Sequence, residues 1–370
     1  MADNTPAPKR TLTDEGIIDI PGLASRWVRL ADGRKAHYVT AGDKGPAVIL
    51  LHGGIEGSSG TAGWRFMAPY LAANGFRVYC PDRPGYGLSD TSKVEYLDAS
   101  MKANNDFLLM FADALCIDKF HMSGNSMGCN VATNFVVSNP ERVLSVMFIA
   151  GALGDITETP RVMGPQGKFT PNPSYVRKPW DGTAEGMQEL MDGIIYERKA
   201  VWPELVEMRV RAGLNQRKPR DAAKLPNAMD QVLSQKDPNQ MQIFSTKGRI
   251  DKLTIPMIYL FGLQDVLAPV ENGFNQEDSV PNIQFFYPDE CGHQGQTDQP
   301  ELFNEVALEF FKTGKVTWAT AVKAGVSLRK PINPRYVEEP KGGFPKPARE
   351  IYADQQTLRN GLKALDKVPA

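Results

Sequence analysis

The segment FHMSGNSMG, residues 120–128, is the most informative stretch of this 370-residue chain. Its first half is a strand-like run, and the residues after Ser126 open a predicted helix at 127–138. A G-x-S-x-G motif between a strand and a helix is typical of a serine exposed above the edge of a sheet. The glycines leave room for the sharp turn, and the helix N-terminus favours developing negative charge. The segment therefore predicts that Ser126 is a nucleophile.

Strand-like and helix-like segments alternate on both sides of this motif. Short apolar runs such as PAVILL are typical of strands buried on both faces. Such runs predict strands at 25–31, 35–41, 46–51, 76–80, 120–124, 143–151, 255–262 and 283–288. Helices are predicted at 63–73, 98–115, 127–138 and 300–314. The alternation predicts an α/β domain with a mostly parallel sheet covered on both faces.

Two further regions depart from this alternation. Residues 155–250 are rich in Met, Glu, Arg and Pro, with helical periodicity from Glu185 to Arg211, which predicts a helical insert. The first two dozen residues are polar and Pro-rich, which predicts a loose arm. The predicted organisation is an N-terminal arm (1–24), a core (25–154 and 251–314), a helical cap (155–250) and a C-terminal extension (315–370).

The C-terminal extension has an unusual composition. It holds 11 Lys and Arg against 5 Asp and Glu, a net charge of +6, with five prolines between Pro331 and Pro347. This composition favours a solvated, partly disordered tail. The alternative is an arm that wraps its own subunit or a neighbour, and a homodimer is compatible with it. No aromatic-basic module is present, so nucleic-acid binding is not expected.

The overall composition excludes several classes of function. The 42 Lys and Arg nearly cancel the 43 Asp and Glu, so no global field gathers nucleic acid or a charged membrane. No apolar run is long enough for a transmembrane helix, and the N-terminus has no signal-like apolar core. Four scattered cysteines without a C-x-x-C pair suggest reduced thiols rather than a zinc site or disulfides. We expect a cytoplasmic protein that acts on a small molecule without metal or cofactor.

A nucleophilic serine needs a base and an orienting carboxylate. The chain has four histidines: His37, His52, His121 and His293. Only His293 lies on a loop after the last predicted strand, so it is the best general-base candidate. Asp265 directly follows the strand at 255–262, so Ser126, Asp265 and His293 each follow a strand's carboxyl end, where open α/β sheets place their sites. We predict that Asp265 orients His293.

An acyl-transfer site also needs donors for an oxyanion. The N–H group of Met127 follows the predicted nucleophile, and that of Gly54 lies in the Gly-rich loop HGGIEGSSG after the strand at 46–51. A backbone N–H after the nucleophile and a second from such a loop form this kind of site. We predict that Gly54 and Met127 form an oxyanion hole.

The chain resembles the α/β-hydrolase fold family over about residues 25–314. The HGG loop, PDRPGYGLSD (81–90), GNSMG, GLQD and CGH stand in the family's order. The resemblance implies an α/β-hydrolase fold, with the helical cap inserted after the sixth strand of a mostly parallel sheet. Within the family, the chain is most similar to the meta-cleavage-product hydrolases, which break a carbon–carbon bond in vinylogous 1,5-diketones from aromatic ring opening.

Three features carry the narrower resemblance: Asn125 before the serine, the stretch GWRFMAPYL, and the cap stretch LMDGIIYERKAVWPELVEMR. The cap pattern ends in an arginine that grips the substrate's carboxylate, and here that position is Arg209. Arg211 nearby leaves an alternative, and a solvated helix face is the other interpretation of Arg209. The resemblance implies substrate contacts from these residues: Gly53, Trp64, Asn125, Arg209 and Gln294.

The chain also departs from that branch. Gln294 stands where an aromatic residue is common, and Ala62 and Gly63 stand where an asparagine is usual. These departures favour an esterase or lactonase with the same triad as the alternative. Dehalogenase and epoxide hydrolase relatives carry a carboxylate in place of Ser126, which argues against their chemistry. A ligand sensor on a hydrolase scaffold is the alternative outside enzymes.

Overall fold

The computed structural model describes residues 18–233, 245–363 and 365, and it forms one eight-stranded sheet. Along the sheet the strand order is β1-β2-β4-β3-β5-β6-β7-β8. The strands are β1 (Ala24–Arg29), β2 (Lys35–Ala41), β3 (Ala47–Leu51), β4 (Arg77–Pro81), β5 (Phe120–Asn125), β6 (Val143–Ile149), β7 (Met257–Leu260) and β8 (Gln284–Phe286). Only the pairs β1–β2 and β2–β4 are antiparallel, so the predicted mostly parallel sheet is confirmed.

Helices cover both faces of the sheet, as predicted. In the core they are α1 (Gly60–Trp64), α2 (Met67–Ala73), α3 (Met101–Ala114) and α4 (Met127–Ser138). The insert contains α5 (Ala184–Ile194), α6 (Pro203–Ala222) and α7 (Ala228–Leu233). The rest are α8 (Glu271–Ser279), α9 (Gly295–Asp298), α10 (Pro300–Thr313), α11 (Trp318–Lys323) and α12 (Gln355–Leu362). Single predicted segments are shortened or divided, but the order of elements is unchanged.

The parallel strands bring three predicted catalytic residues to one edge of the sheet. The strands β5, β7 and β8 run parallel to their neighbours, and each of the three residues follows the carboxyl end of one of them. The side chains of β3 are all buried, which explains the unbroken apolar run from which this strand was predicted. Loops at the carboxyl ends of such strands converge above the sheet.

The insert between β6 and β7 is only partly helical. Residues 155–183 contain no regular helix or strand, and residues 234–244 lie outside the described part of the chain. The predicted periodicity from Glu185 to Arg211 corresponds to two helices, because α5 ends at Ile194 and Pro203, a residue favoured in the first turn of a helix, begins α6. Beyond Arg211, α6 continues to Ala222. The residues buried in this part of the helix include polar ones such as Gln216, which donates to the carbonyl of Gly87 at 3.0 Å.

The described end of the N-terminal arm is packed rather than loose. Ile18 and Ile20 are buried in a cluster with cap residues from α5 and α6. The expectation of a loose arm is therefore wrong for these residues, because two isoleucines among polar neighbours are enough to anchor a short segment. Residues 1–17, where most of that prediction falls, lie outside the described residues.

The C-terminal extension folds onto its own subunit, so the prediction of a solvated, partly disordered tail is wrong for residues 315–363. Its backbone pairs with the edge strand β8, where Ser327 N donates to Phe285 O at 3.0 Å and Tyr287 N donates to Gly325 O at 2.7 Å. Apolar side chains spaced along the extension are buried in the main core: Val316, Trp318, Val326, Leu328, Tyr336, Val337, Tyr352 and Leu358. The prediction failed because it rested on net charge and proline content and did not consider these apolar residues. A homodimer stays a prediction.

A buried ion pair fastens the extension to α8. Arg329 Nε donates to Glu277 Oε2 at 3.0 Å, and Arg329 Nη2 donates to Asp278 at 2.8 Å. The hydroxyl of Tyr287 also donates to Glu277, at 2.8 Å. Burial raises the pKa of Glu277 above its usual value, although these partners favour the ionised form. The ionised form of Glu277 is therefore stabilised in its buried position by Arg329.

We expect Arg329→Met to lower the free energy of unfolding by about 3 kcal/mol at pH 8, because it leaves Glu277 buried without its cation. The loss should be smaller at pH 5. A carboxyl whose pKa is raised on folding becomes protonated as the pH falls, and the orphaned charge then disappears. Denaturant unfolding at the two pH values measures this. Arg349→Met removes an exposed ion pair with the same Asp278, and equal losses in both variants would contradict the prediction.

No helix in the described ranges is long and apolar enough to cross a membrane. In the same part of the chain, no group of three or more His, Cys, Asp or Glu side chains is placed to hold a metal ion.

Candidate active site

Ser126 lies in the sharp turn between β5 and α4. Its backbone has φ 57° and ψ −119°, a conformation that residues with a side chain rarely adopt. A Cβ at Gly124 would lie 2.2 Å from Gly128 O, and one at Gly128 would lie 2.2 Å from Leu51 O. Both glycines of the motif are therefore required by close backbone approach, as predicted. The turn leaves Ser126 half-buried at the N-terminus of α4.

His293 and Asp265 are joined by a short hydrogen bond. His293 Nδ1 lies 2.6 Å from Asp265 Oδ2, and both side chains are buried. The other carboxylate oxygen accepts from the N–H groups of Leu267, at 2.8 Å, and Ala268, at 3.0 Å. The Asp265 side chain is thus held on both oxygens, which is the arrangement expected of a carboxylate that orients an imidazole.

The second ring nitrogen of His293 is available for chemistry. His293 Nε2 is buried and makes no hydrogen bond to any described residue. The backbone of His293 is held on both sides, because its N–H donates to Ile194 O at 3.0 Å and its carbonyl accepts from Asn125 Nδ2 at 3.0 Å. Asn125 directly precedes Ser126, so this contact brings the histidine loop against the turn that carries the serine.

The other three histidines have structural partners. His37 Nδ1 lies 2.8 Å from Asp82, and His121 Nδ1 lies 2.8 Å from Ser145 Oγ. Burial, together with the charge of Arg83, lowers the pKa of His52 to about 3, and burial lowers the pKa of His121 to about 4. His52 also uses both of its ring nitrogens, because Nδ1 lies 2.8 Å from Gly53 O and Nε2 accepts from Arg83 N at 3.1 Å, so neither is free to act as the base.

The predicted oxyanion loop lies directly beside the serine turn. A Cβ built on Gly53 would lie 3.4 Å from Ser126 Cβ, and one built on Gly54 would lie 2.7 Å from Met127 Cβ. The structure therefore brings Gly53, Gly54, Ser126 and Met127 together. A larger residue at Gly54 would push the two loops apart, so the glycine keeps both backbones close to one point.

Arg209 is a buried cation beside this loop, so the alternative of a solvated helix face is wrong. Its side chain is 2% exposed, and Nη1 donates to Ser58 Oγ at 3.4 Å. Its Nε has no hydrogen-bond partner, and no carboxylate among the described residues forms an ion pair with it. Burial lowers the pKa of Arg209 to about 10, so it remains charged at neutral pH. Arg211 is exposed and pairs with Glu207.

Trp64 and Gln294 are both buried near the site. Trp64 ends α1, which packs against α6 and against α9, the short helix that follows Gln294. Trp64 Nε1 and Gln294 Oε1 are buried polar atoms without a hydrogen-bond partner among the described residues. Such unpaired groups call for an explanation. A substrate contact, as predicted for both residues, would supply one.

A family model described as alpha/beta hydrolase fold matches residues 46–300. The chain belongs to the α/β-hydrolase fold family. The match contains the turn at Ser126 and the residues Asp265 and His293.

Curated relatives narrow the likeness. The 2-hydroxy-6-oxononadienedioate/2-hydroxy-6-oxononatrienedioate hydrolase of Burkholderia vietnamiensis is 27% identical over 304 residues, covering 80% of this chain and 98% of the relative. The enzyme of the same name from Klebsiella pneumoniae is 27% identical, covering 77% and 95%. A meta-cleavage product hydrolase structure from Pseudomonas fluorescens is 26% identical with a TM-score of 0.58, covering 78% and 98%. The predicted resemblance is confirmed.

Sequence reasoning missed the supports beneath the Gly53–Gly54 loop of this α/β hydrolase. Arg83 is fully buried, and its Nη2 donates to the carbonyl oxygens of His52, at 3.0 Å, and Gly53, at 2.7 Å. Tyr86 Oη donates to Gly54 O at 2.9 Å. Both residues belong to PDRPGYGLSD, which served only as a family marker. The sequence did offer one indication of this role, because Arg83 lies between two prolines directly after a predicted buried strand.

Cys291, two residues before His293, has no role as a reactive thiol. It is fully buried, and burial together with nearby carboxylates raises the pKa of its thiol well above the usual value. A protonated, enclosed thiol is a poor nucleophile. Cys291 is therefore a free, buried thiol, which agrees with the reduced thiols expected from the scattered cysteines.

Proposed function

We propose that the protein hydrolyses a carbon–carbon bond beside a ketone in a vinylogous 1,5-diketone, the kind of compound formed by aromatic ring opening. Ser126 is the proposed nucleophile, His293 the general base, and Asp265 the carboxylate that orients it. The N–H groups of Gly54 and Met127 are the proposed oxyanion hole. The 2.6 Å contact between His293 and Asp265 and the names of the relatives support this assignment.

One observation carries the choice of substrate class: Arg209 is a buried cation without an anionic partner in the described chain. Burying an unpaired charge is costly, so such a group is expected where a ligand supplies the opposite charge. A planar guanidinium suits a carboxylate, which it binds through two parallel hydrogen bonds. The relatives' printed names describe dienedioates and trienedioates, which carry carboxylates. We infer that Arg209 holds the carboxylate of the dienoate end.

The reaction begins with a proton shift within the substrate. His293 assists the transfer of the proton from the 2-hydroxyl to the carbon beside the reacting ketone, which converts the dienol into its keto tautomer. The new ketone is an electron sink for the bond that will break. Ser126 then adds to the reacting ketone as His293 Nε2 takes its proton. The N–H groups of Gly54 and Met127 stabilise the oxyanion.

Collapse of this adduct breaks the carbon–carbon bond. Its electron pair moves into the departing fragment as a dienolate, which takes the proton held by His293. Water, deprotonated by His293, attacks the remaining acyl group, and the Ser126–acyl bond breaks. Ser126 regains a proton and a carboxylic acid leaves, so the net reaction consumes one water.

We propose that the remaining predicted residues also contact the substrate. Gly53 lies against the Ser126 turn, while Trp64 and Gln294 have the unpaired buried atoms described above. Asn125 already donates to the carbonyl of His293, so we propose that it positions the histidine loop as well as contacting substrate.

An esterase or lactonase with the same triad is the second candidate. Gln294 favours it, because a buried amide with an unpaired oxygen offers polar contacts where an aromatic residue would pack against a planar dienoate. This reaction needs Ser126, His293 and the oxyanion hole but no carboxylate anchor.

The deciding experiment compares two substrates on the purified protein. A yellow ring-fission dienoate is followed by loss of its visible absorbance, and p-nitrophenyl butyrate is followed by release of nitrophenolate. Fast bleaching that depends on Ser126 and Arg209 supports carbon–carbon hydrolysis. Ester cleavage without bleaching overturns that proposal in favour of an esterase or lactonase. Failure to turn over either compound favours a ligand sensor.

We expect the reaction to take place in the cytoplasm. All four cysteines are unpaired, and three of them are buried, which suits a reducing compartment.

A further inference from the structure

The C-terminal extension contacts the turn that carries His293. It pairs with β8 at Val326, and further along the chain α12 contacts residues 289–290, just before the segment CGH. Residues 315–363 lie beyond the family match at 46–300. The extension is therefore an addition to the hydrolase core that touches the core close to its site.

The contact is an ion pair made by Arg359 in α12. Arg359 Nε donates to Asp289 Oδ2 at 2.6 Å, and Nη2 lies 3.7 Å from Glu290. Although burial opposes ionisation, hydrogen bonds from Arg359 and then Gln264 hold the pKa of Asp289 below its usual value. Asp289 is thus a charged acceptor, and on one side its carboxylate is oriented by the hydrogen bond from Arg359 of the extension.

On its other side, Asp289 holds the loop that carries Asp265. Asp289 Oδ1 accepts from Gln264 Nε2 at 2.6 Å, and Gln264 directly precedes Asp265. The amide oxygen of Gln264 accepts from Cys291 N at 3.0 Å, and Gln264 N donates to Cys291 O at 2.9 Å. One side chain therefore links the aspartate loop to the histidine loop, and Asp289 orients that side chain.

We propose that Arg359 is a positioning residue, through which the C-terminal extension aligns His293 with Asp265. The chain of contacts runs from Arg359 to Asp289, from Asp289 to Gln264, and from Gln264 to both loops. Arg359 touches neither substrate nor the reacting atoms. The inference rests on the proposed function, because it assumes that His293 and Asp265 act together.

The ion pair itself contributes little to global stability. The Arg359 side chain is 39% exposed, and an ion pair this accessible to water adds little to the free energy of unfolding. A larger effect on turnover than on stability is consequently the signature of positioning. Misplacement of a catalytic group by about 1 Å can lower a rate about 10²-fold, so a partial loosening of the loops should cost about 10-fold.

The test uses the full chain and p-nitrophenyl butyrate, so it does not depend on which bond the enzyme normally breaks. Arg359→Met should lower kcat about 10-fold with KM within about twofold, because the substrate contacts are untouched. Arg359→Lys should recover part of the loss. Asp289→Asn should have the same effect as Arg359→Met, and the double variant should be no slower than either single one, since both break the same chain of contacts.

Arg349→Met is the matched control, because Arg349 lies on the same extension and pairs with Asp278, away from the histidine turn. It should leave kcat unchanged, and thermal unfolding should show similar small shifts in both methionine variants. Wild-type kcat in Arg359→Met, or an equal loss in Arg349→Met, overturns the positioning role. The proposed function fails separately, if the wild-type protein shows no turnover that depends on Ser126.

Discussion

Replacement of Ser126 by alanine is expected to lower kcat by about 10⁴-fold or more on either substrate, the scale of losing a triad nucleophile. The change removes one oxygen from a half-buried side chain in a turn that the two flanking glycines already define. It leaves His293, Asp265 and the predicted oxyanion loop in place. The loss should therefore appear in kcat, with substrate binding retained.

The measurement is steady-state turnover of the dienoate and of p-nitrophenyl butyrate, with the fast phase of acylation recorded at high protein concentration. Ser126→Ala should abolish that phase for the ester, because no acyl-enzyme can form.

Ser123→Ala provides a matched control from the same strand. The Ser123 hydroxyl is buried and donates to Met147 O at 2.8 Å, so its removal should cost about 1 kcal/mol of stability and leave turnover intact. Retention of a tenth of the wild-type rate in Ser126→Ala would rule out Ser126 as the nucleophile.

The turn at Ser126 was predictable because its signal is local. A strand, two glycines around a serine and a helix lie within twenty residues, and close backbone approach at Gly124 and Gly128 explains the pattern. The mostly parallel sheet, and with it the positions of Asp265 and His293 after the carboxyl ends of strands, follows from the alternation of strands and helices. Apolar runs report burial on both faces directly, as in β3.

The surroundings of the site were less predictable because they depend on contacts between distant segments. The burial of Arg209 requires α6 to fold over the oxyanion loop, and a Cβ at Gly57 would lie 2.3 Å from Arg209 O. No local pattern separates Arg209 from Arg211, two residues away in a helix with little amphipathic character. The prediction of a disordered C-terminal extension was wrong for a related reason. Its apolar residues are separated by basic residues and prolines, so no continuous apolar run indicates that they are buried in the core.

Arg209→Met should have the second-largest effect, lowering kcat/KM for the dienoate by about 10²–10³-fold, since truncating one partner of a buried, hydrogen-bonded charge pair costs about 2–5 kcal/mol. The substrate's carboxylate would enter a buried position without its cation. Turnover of p-nitrophenyl butyrate, which has no carboxylate, should change by less than about threefold. The contrast between the two substrates is the measurement.

Arg211→Met is the control for Arg209→Met. Arg211 lies two residues along the same helix, is exposed, and pairs with Glu207. It should leave both substrates unaffected. An equal fall in ester and dienoate turnover in Arg209→Met would contradict the anchor, because it would indicate general damage to the cap. Loss of dienoate turnover in Arg211→Met would assign the anchor to Arg211 instead.

Arg209→Met should also separate the role of Arg209 in substrate binding from its effect on stability. Arg329 and Arg209 are both buried, but removal of Arg329 leaves Glu277 without its cation, whereas removal of Arg209 leaves no carboxylate unpaired. Arg209→Met should therefore unfold at the same denaturant concentration as wild type or a higher one, since an unpaired buried charge costs stability. A carboxylate ligand such as hexanoate should raise the melting temperature of wild type but not of Arg209→Met, because only the protein that binds it is stabilised. A cation kept at a cost to folding is best explained by the anion it binds during the reaction.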